Sequence, residues 1–309
     1  MTLHPTFEEM IQVTKEAGNP PVCRQSITEL RKAPGLIKPL AGDAPAVPRI
    51  LNHMIESHDR HLIMRMYYPK DKEKLPILLY FHPGCFIKGD IDSHDIVCRQ
   101  LALASGCIVA SVNYALAPEN PFPAALEDGY AALLWMANHA QEVNADGRLA
   151  IGGENAGANL AAAITHKLRD EQGIELDFQV LIYPQTDLTL SHPSINQFGN
   201  GYLLEKEALD WYISRYLPQG IKRDDPRVSP LFQPQFEGLP PALIITAEFD
   251  PLKDEGEAYA YKLQTASVPT TLTCYSGMLH GFFQMGGVID EGRKAIEQVG
   301  HALKEVFSL

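Results

Sequence analysis

Leu149-Ala150-Ile151-Gly152-Gly153-Glu154-Asn155-Ala156-Gly157-Ala158-Asn159-Leu160 is the stretch that decides how the chain is read. An apolar run ends in two glycines, and a third glycine opens an Ala-rich segment of helical composition. The order is strand, sharp turn, helix. The pattern is one residue away from G-x-S-x-G, in which the central side chain sits on a tight turn and is held out above a sheet. Glycines allow that turn and let strand and helix approach closely. Here the central residue is Asn155, where the pattern has a serine nucleophile.

Working outward, strands and helices alternate. The run Leu75–Phe81 is apolar throughout, as in a strand buried on both faces. Strands are also expected at Arg49–Glu56, His61–Tyr68, Cys107–Val112, Leu149–Gly152, Gln179–Tyr183, Ala242–Thr246 and Thr270–Tyr275. Helices are expected at Asp92–Ser105, Pro123–Gln141, Ala156–Asp170, Lys253–Ala266 and Val288–Phe307. This order predicts an α/β fold, a mostly parallel sheet with helices on both faces, in one domain spanning residues 1–309. Two segments stand outside the alternation. Residues 1–45 carry amphipathic patterns at Phe7–Ala17 and Gln25–Leu36. Residues 188–239 hold one clear helix, Glu205–Tyr216, among many Pro, Gly, Asn and Asp. An insertion of that length is more often a lid than a passive loop.

Composition narrows the function. A net charge of -12 argues against nucleic acid and anionic membrane surfaces as partners. The five cysteines are widely spaced, with no C-x-x-C and no zinc spacing, so a reducing compartment is expected and no metal site. Met1–Ala17 lacks a signal-peptide core, and no apolar run reaches membrane-spanning length. These features predict a soluble, cytoplasmic protein without stable membrane insertion.

Three further stretches carry chemistry. His82-Pro83-Gly84-Cys85-Phe86 follows a strand, where a loop can aim backbone N–H groups at a developing oxyanion; alone it reads equally as a tight turn. Asp250 ends a strand and precedes Pro251, a place suited to a carboxylate that orients an imidazole. It reads as well as an N-cap for the helix Lys253–Ala266. His280 lies just beyond the last strand. Among eleven histidines it is singled out by order alone: elbow, acid, base.

Taken together, Phe81–Phe86, Asn113–Ala125, the elbow to Leu160, Asp250-Pro251-Leu252 and Leu279-His280-Gly281-Phe282 resemble the bacterial hormone-sensitive-lipase-like carboxylesterases of the α/β-hydrolase superfamily. The resemblance implies an α/β-hydrolase fold with a helical cap built from residues 1–45 and about 188–239. It implies Asp250 and His280 as acid and base, and the N–H groups of Gly84, Cys85 and Ala156 as oxyanion donors. It implies hydrolysis of short to medium acyl esters, without a cofactor. His82, Phe86, Leu203, Leu204, Trp211 and Tyr212 are candidates for the substrate pocket. Trp211 and Tyr212 read equally as packing residues of their helix. An apolar mouth of this kind predicts that a short apolar ester binds better than a charged or phosphorylated ligand. A homodimer is left open.

The chain departs from the family at two places. Pro83 and Cys85 replace glycines of an H-G-G-G loop. Pro83 has no N–H, but the family's donors are the next two residues. Cys85 keeps its N–H, and its Cβ narrows the acyl side. Asn155 is the larger departure, because a conjugated carboxamide cannot be activated by imidazole as a hydroxyl can. Three readings follow: an esterase scaffold inactive or impaired as written, a non-catalytic protein that binds a small ligand in the same pocket, or altered chemistry using His280 with water or a deamidated Asn155.

Overall fold

Alternate side chains of Leu75–Phe81 enter different layers, which is why every one of them is buried. Ile77, Leu79 and Phe81 join one apolar cluster, with side chains from the helices Ala124–Asn138, Ala156–Glu171 and Lys253–Thr265. Leu78 and Tyr80 join the other, with the helices Asp95–Ser105 and Asp290–Phe307. The computed structural model describes residues 2–33, 37–58, 60–71, 73–171 and 173–309.

The strands are β1 (Arg49–Ser57), β2 (Arg60–Tyr68), β3 (Leu75–Phe81), β4 (Ile108–Val112), β5 (Ala145–Glu154), β6 (Phe178–Ile182), β7 (Ala242–Phe249) and β8 (Thr270–Leu279). They form one sheet in the order β1-β2-β4-β3-β5-β6-β7-β8. β1–β2 and β2–β4 are antiparallel, and every later pairing is parallel. This is the α/β architecture expected, and it brings the ends of β3, β5, β7 and β8 to the same edge of the sheet.

Some boundaries differ from expectation. β5 starts at Ala145, before its apolar run, because Leu75 pairs with Ala145 across an irregularity in the β3–β5 register. Gln25–Leu36 is not one helix. Ser26 and Glu29 form a capping box over the single turn Ile27–Leu30. Arg31 leaves that turn to donate to the carbonyls of Ile87 and Ala117 and to pair with Glu119 at 2.5 Å; Leu36 lies outside the described residues. Residues 188–239 hold a second helix, Pro193–Phe198, that a scan for long periodic segments misses; Pro193 suits its first turn.

Both extra segments are tied to the body near the elbow. The Asn159 carboxamide donates to the carbonyls of Gln185 and Val228 at 2.6 and 2.8 Å. Cys23 Sγ donates to Glu207 Oε1 at 3.2 Å, joining the N-terminal segment to the helix Lys206–Tyr216.

Candidate active site

The elbow is as tight as three glycines permit. Asn155 has φ of +51°, in the left-handed region that few side chains adopt. A Cβ on Gly153 would lie 2.6 Å from the Phe81 carbonyl oxygen, and one on Gly157 would lie 2.1 Å from it. A Cβ on Gly152 would meet the Val180 oxygen at 2.8 Å. The glycines let β5, its helix and β3 come together, and that contact forces Asn155 out of the sheet. The Asn155 N–H donates to the Ile182 carbonyl at 3.0 Å, fixing the turn to β6.

β7 and β8 deliver the second pair of side chains. Asp250 Oδ2 is 2.8 Å from His280 Nδ1. Asp250 Oδ1 accepts the Leu252 N–H, also at 2.8 Å. Of the two readings of Asp250, the partner of the imidazole is the one seen: one oxygen faces the ring, while the other holds the turn before the helix without capping it. The residue at the N-cap itself is Leu252. Asp250 is fully buried, so the pair is shielded from water on the carboxylate side.

Sequence patterns did not disclose what supports His280. The ring of Tyr183 lies 4.5 Å from the imidazole, tilted by 52°. The Tyr183 hydroxyl donates to Glu154 Oε2 and the Tyr80 hydroxyl to Glu154 Oε1, each at 2.6 Å. The residue before Asn155 thus anchors the ring that supports the histidine. Burial pushes the Glu154 carboxyl up, and the two phenol donors oppose that shift. Only the separate elements carry a sequence signal; the contact between them depends on β6 lying beside β5.

The loop after β3 completes the arrangement. Gly84, Cys85 and Phe86 all have positive φ, at 131°, 53° and 63°. Only glycine fits at 84, because a Cβ there would lie 1.9 Å from the Lys88 carbonyl oxygen. The Cys85 N–H points at Asn155 and donates to its Oδ1 at 3.2 Å, and the Cys85 thiol donates to the same oxygen at 3.4 Å. Asn155 Nδ2 is buried without a hydrogen-bond partner. The side-chain oxygen of residue 155 therefore already takes the Cys85 N–H. Burial pushes the Cys85 thiol up to about 11, so it stays protonated and makes a poor nucleophile at neutral pH.

Residues 78–284 match a family described as the alpha/beta hydrolase fold, which is well over half of the chain. The carboxylic ester hydrolase LipN of Mycobacterium tuberculosis is 43% identical over 233 residues, which cover 72% of this chain and 62% of LipN. The ethyl acetate hydrolase of Pseudomonas putida is 36% identical over 272 residues, 86% of each protein. The chain belongs to the carboxylesterase family of α/β-hydrolases. An ester hydrolase from the metagenome of Lake Arreo, solved with a bipyridine phosphonate derivative, superimposes over 100% of both chains with a TM-score of 0.96 at 36% identity. The chain thus spans somewhat under two thirds of LipN's length and 86% of the ethyl acetate hydrolase's.

In this chain the candidate pocket residues divide. Phe86 is buried, its ring stacked on Tyr216 at 3.7 Å. Tyr212 is buried, while Leu203, Leu204 and Trp211 are half-buried. Leu204 and Trp211 pack against the cluster that contains Phe86, and Leu203 against the other. The Arg215 guanidinium covers the Trp211 ring at 3.6 Å. His82 departs from its expected place as a pocket wall. It is fully buried, with Tyr114 stacked at 4.2 Å and His94 at 6.1 Å. Its Nδ1 lies 2.8 Å from the Pro83 carbonyl, so the ring stiffens the loop from within. A cavity of about 680 Å³ lined by Phe122, Leu126, Tyr130, Lys167 and Arg227 contains none of Asn155, Asp250 and His280. It is distinct from the site described here.

The buried imidazoles set an acid limit. Burial holds His82 down at about 4 and His94 at about 3. Both bind protons more weakly folded than unfolded, where a histidine titrates near 6.5. Their stabilising contribution is complete above about pH 6.5 and is lost as pH falls toward 4. Ring ¹⁵N shifts recorded at pH 5 on the folded protein should report both imidazoles as neutral. Imidazolium signals from either ring at that pH, with the fold intact, would refute this.

Proposed function

We propose that this chain is a carboxylic-ester hydrolase scaffold built for acyl transfer, and that Asn155 leaves it inactive or strongly impaired as written. The observations that carry the reading are the Asp250–His280 pair, whose imidazole packs on the Tyr183 ring held by Glu154 beside residue 155, and the Cys85 N–H donated to residue 155 itself. With a serine there, the hydroxyl would pass its proton to His280 Nε2 as its oxygen attacks the ester carbonyl. Asp250 would hold the Nδ1–H of the ring and stabilise the imidazolium. The N–H groups of Cys85 and Ala156, with that of Gly84, would receive the negative oxygen. His280 would then protonate the leaving alcohol, and water would release the acid by the same steps.

Asn155 disrupts two of these steps. Its amide is not a nucleophile, and its oxygen already takes the Cys85 N–H. The esterase relatives support the general reaction; the inhibition rests on the amide's contacts. We further propose that residues 1–45 and about 188–239 cap the site, since Arg31 reaches the Ile87 carbonyl beyond the loop after β3, Asn159 of the elbow helix holds the Val228 carbonyl, and Cys23 joins the two segments through Glu207. The reading is tested by hydrolysis of a p-nitrophenyl ester by the present chain and by Asn155→Ser. A folded Asn155→Ser protein inert toward a broad ester panel would favour a ligand-binding role instead.

A further inference from the structure

Lys88 is three residues beyond Cys85, in a loop that turns back on itself. The N–H groups of Ile87 and Lys88 both reach the Gly84 carbonyl, at 3.0 and 3.1 Å. The turn lays the Lys88 side chain over Gly84, where a Cβ would lie 3.3 Å from Lys88 Cγ. Lys88 is half-buried, and no carboxylate among the described residues lies within ion-pair distance of its ammonium. Its charge instead faces the ring of Tyr212, 5.4 Å from the centroid. Tyr212 is 2% exposed, and its hydroxyl is buried without a hydrogen-bond partner. A half-buried cation without a counter-ion and a buried hydroxyl without a partner are both costly to a fold. Here they stand together, beside the oxyanion loop. Burial lowers the Lys88 ammonium, which its neighbour Cys85 feels as a positive field.

We propose that Lys88 and Tyr212 form an anion subsite for a carboxylate carried by the ester, so that the cleft prefers half-esters of dicarboxylic acids to neutral esters of equal length. The carboxylate would take a charge-assisted bond from Lys88 and a second bond from the Tyr212 hydroxyl. The proposal rests on the hydrolase reading above. It runs against the expectation that a short apolar ester binds better than a charged one, and a single lysine in a loop carries no sequence signal that would have pointed to it.

The test uses Asn155→Ser with monoethyl glutarate and ethyl pentanoate. The ratio of their kcat/KM values should favour the half-ester by about tenfold or more, the order expected of one charge-assisted bond. Lys88→Met should bring the ratio to about one or below, and Lys88→Arg should keep most of it. Tyr212→Phe should lower it with the ammonium in place, which serves if Lys88→Met fails to fold. A parent that cleaves ethyl pentanoate as well as the half-ester would overturn the subsite and leave the hydrolase reading intact. If Asn155→Ser were folded but inert, calorimetry with the same two esters would decide. Tighter half-ester binding that Lys88→Met abolishes would support the subsite, and equal binding would overturn it.

Discussion

Asn155→Ser is expected to raise turnover of a reactive ester by at least about 10³. Removing the nucleophile from a working serine triad costs on the order of 10⁶ in turnover, and binding with an intact oxyanion hole retains about 10³–10⁴ over water. The present chain should fall short even of that remnant, because Asn155 Oδ1 accepts the Cys85 N–H at 3.2 Å. Serine both supplies a hydroxyl and frees the donor. The Cβ of Cys85 weakens the hole, which is why the expected gain is at least about 10³ and not the full ~10⁶. The measurement compares two purified, folded proteins on p-nitrophenyl butyrate near neutral pH. Equal rates would refute the role given to Asn155 and point to water activated by His280 or to an aspartate formed by deamidation. The second of these shows as a gain of about one dalton in the elbow peptide.

In the Asn155→Ser background, His280→Ala should remove most of that gain. The hydroxyl then has no base, and triad members act as a unit rather than additively. Asp250→Asn is the sharper test of geometry. The carboxylate makes two contacts, with the Leu252 N–H and with His280 Nδ1, each at 2.8 Å. Asparagine can keep the first through its oxygen, so the turn survives. It removes the charge that fixes the tautomer of the ring, which costs roughly 10⁴ in a serine protease. A far-ultraviolet circular dichroism spectrum unchanged from the parent, with turnover down by about that factor, is the expected pair of results. An Asp250→Asn protein retaining more than a tenth of the parental turnover would remove Asp250 from the mechanism.

The parts of the site that come from local sequence were legible. Gly152, Gly153 and Gly157 announce a tight strand-to-helix turn because no other residue fits there, and the contacts under 3 Å found for a Cβ at each give the reason. The apolar run Leu75–Phe81 announces a two-sided strand, since parallel strands are buried on both faces. Asp250 and His280 are found by order along the chain. What stayed hidden are relations between distant segments. Tyr80 and Glu154 come from two strands and Tyr183 from just past a third, and nothing local in any of them records that they meet. The helix Pro193–Phe198 is too short to show a period. His82 looked like a pocket residue because it adjoins the oxyanion loop, yet stacking against Tyr114 turns it inward. The orientation of the Asn155 amide is set by Cys85, a position where glycine would have offered the same N–H but no thiol.

The left-handed backbone at residue 155 has a consequence for how such a chain persists. Among residues with a side chain, asparagine is one of those that best tolerate positive φ, and serine is not. The amide also gains two donors from Cys85 that a shorter hydroxyl would not reach in the same way. The residue proposed to disable chemistry is thus also the one expected to relax the elbow. The urea midpoint of Asn155→Ser should accordingly lie below that of the present chain, and a midpoint equal or higher would show that the turn is not strained by serine. If the drop is found, catalysis and robustness pull in opposite directions at a single codon. A lineage released from the need to cleave its ester would then be carried toward asparagine by selection for folding alone.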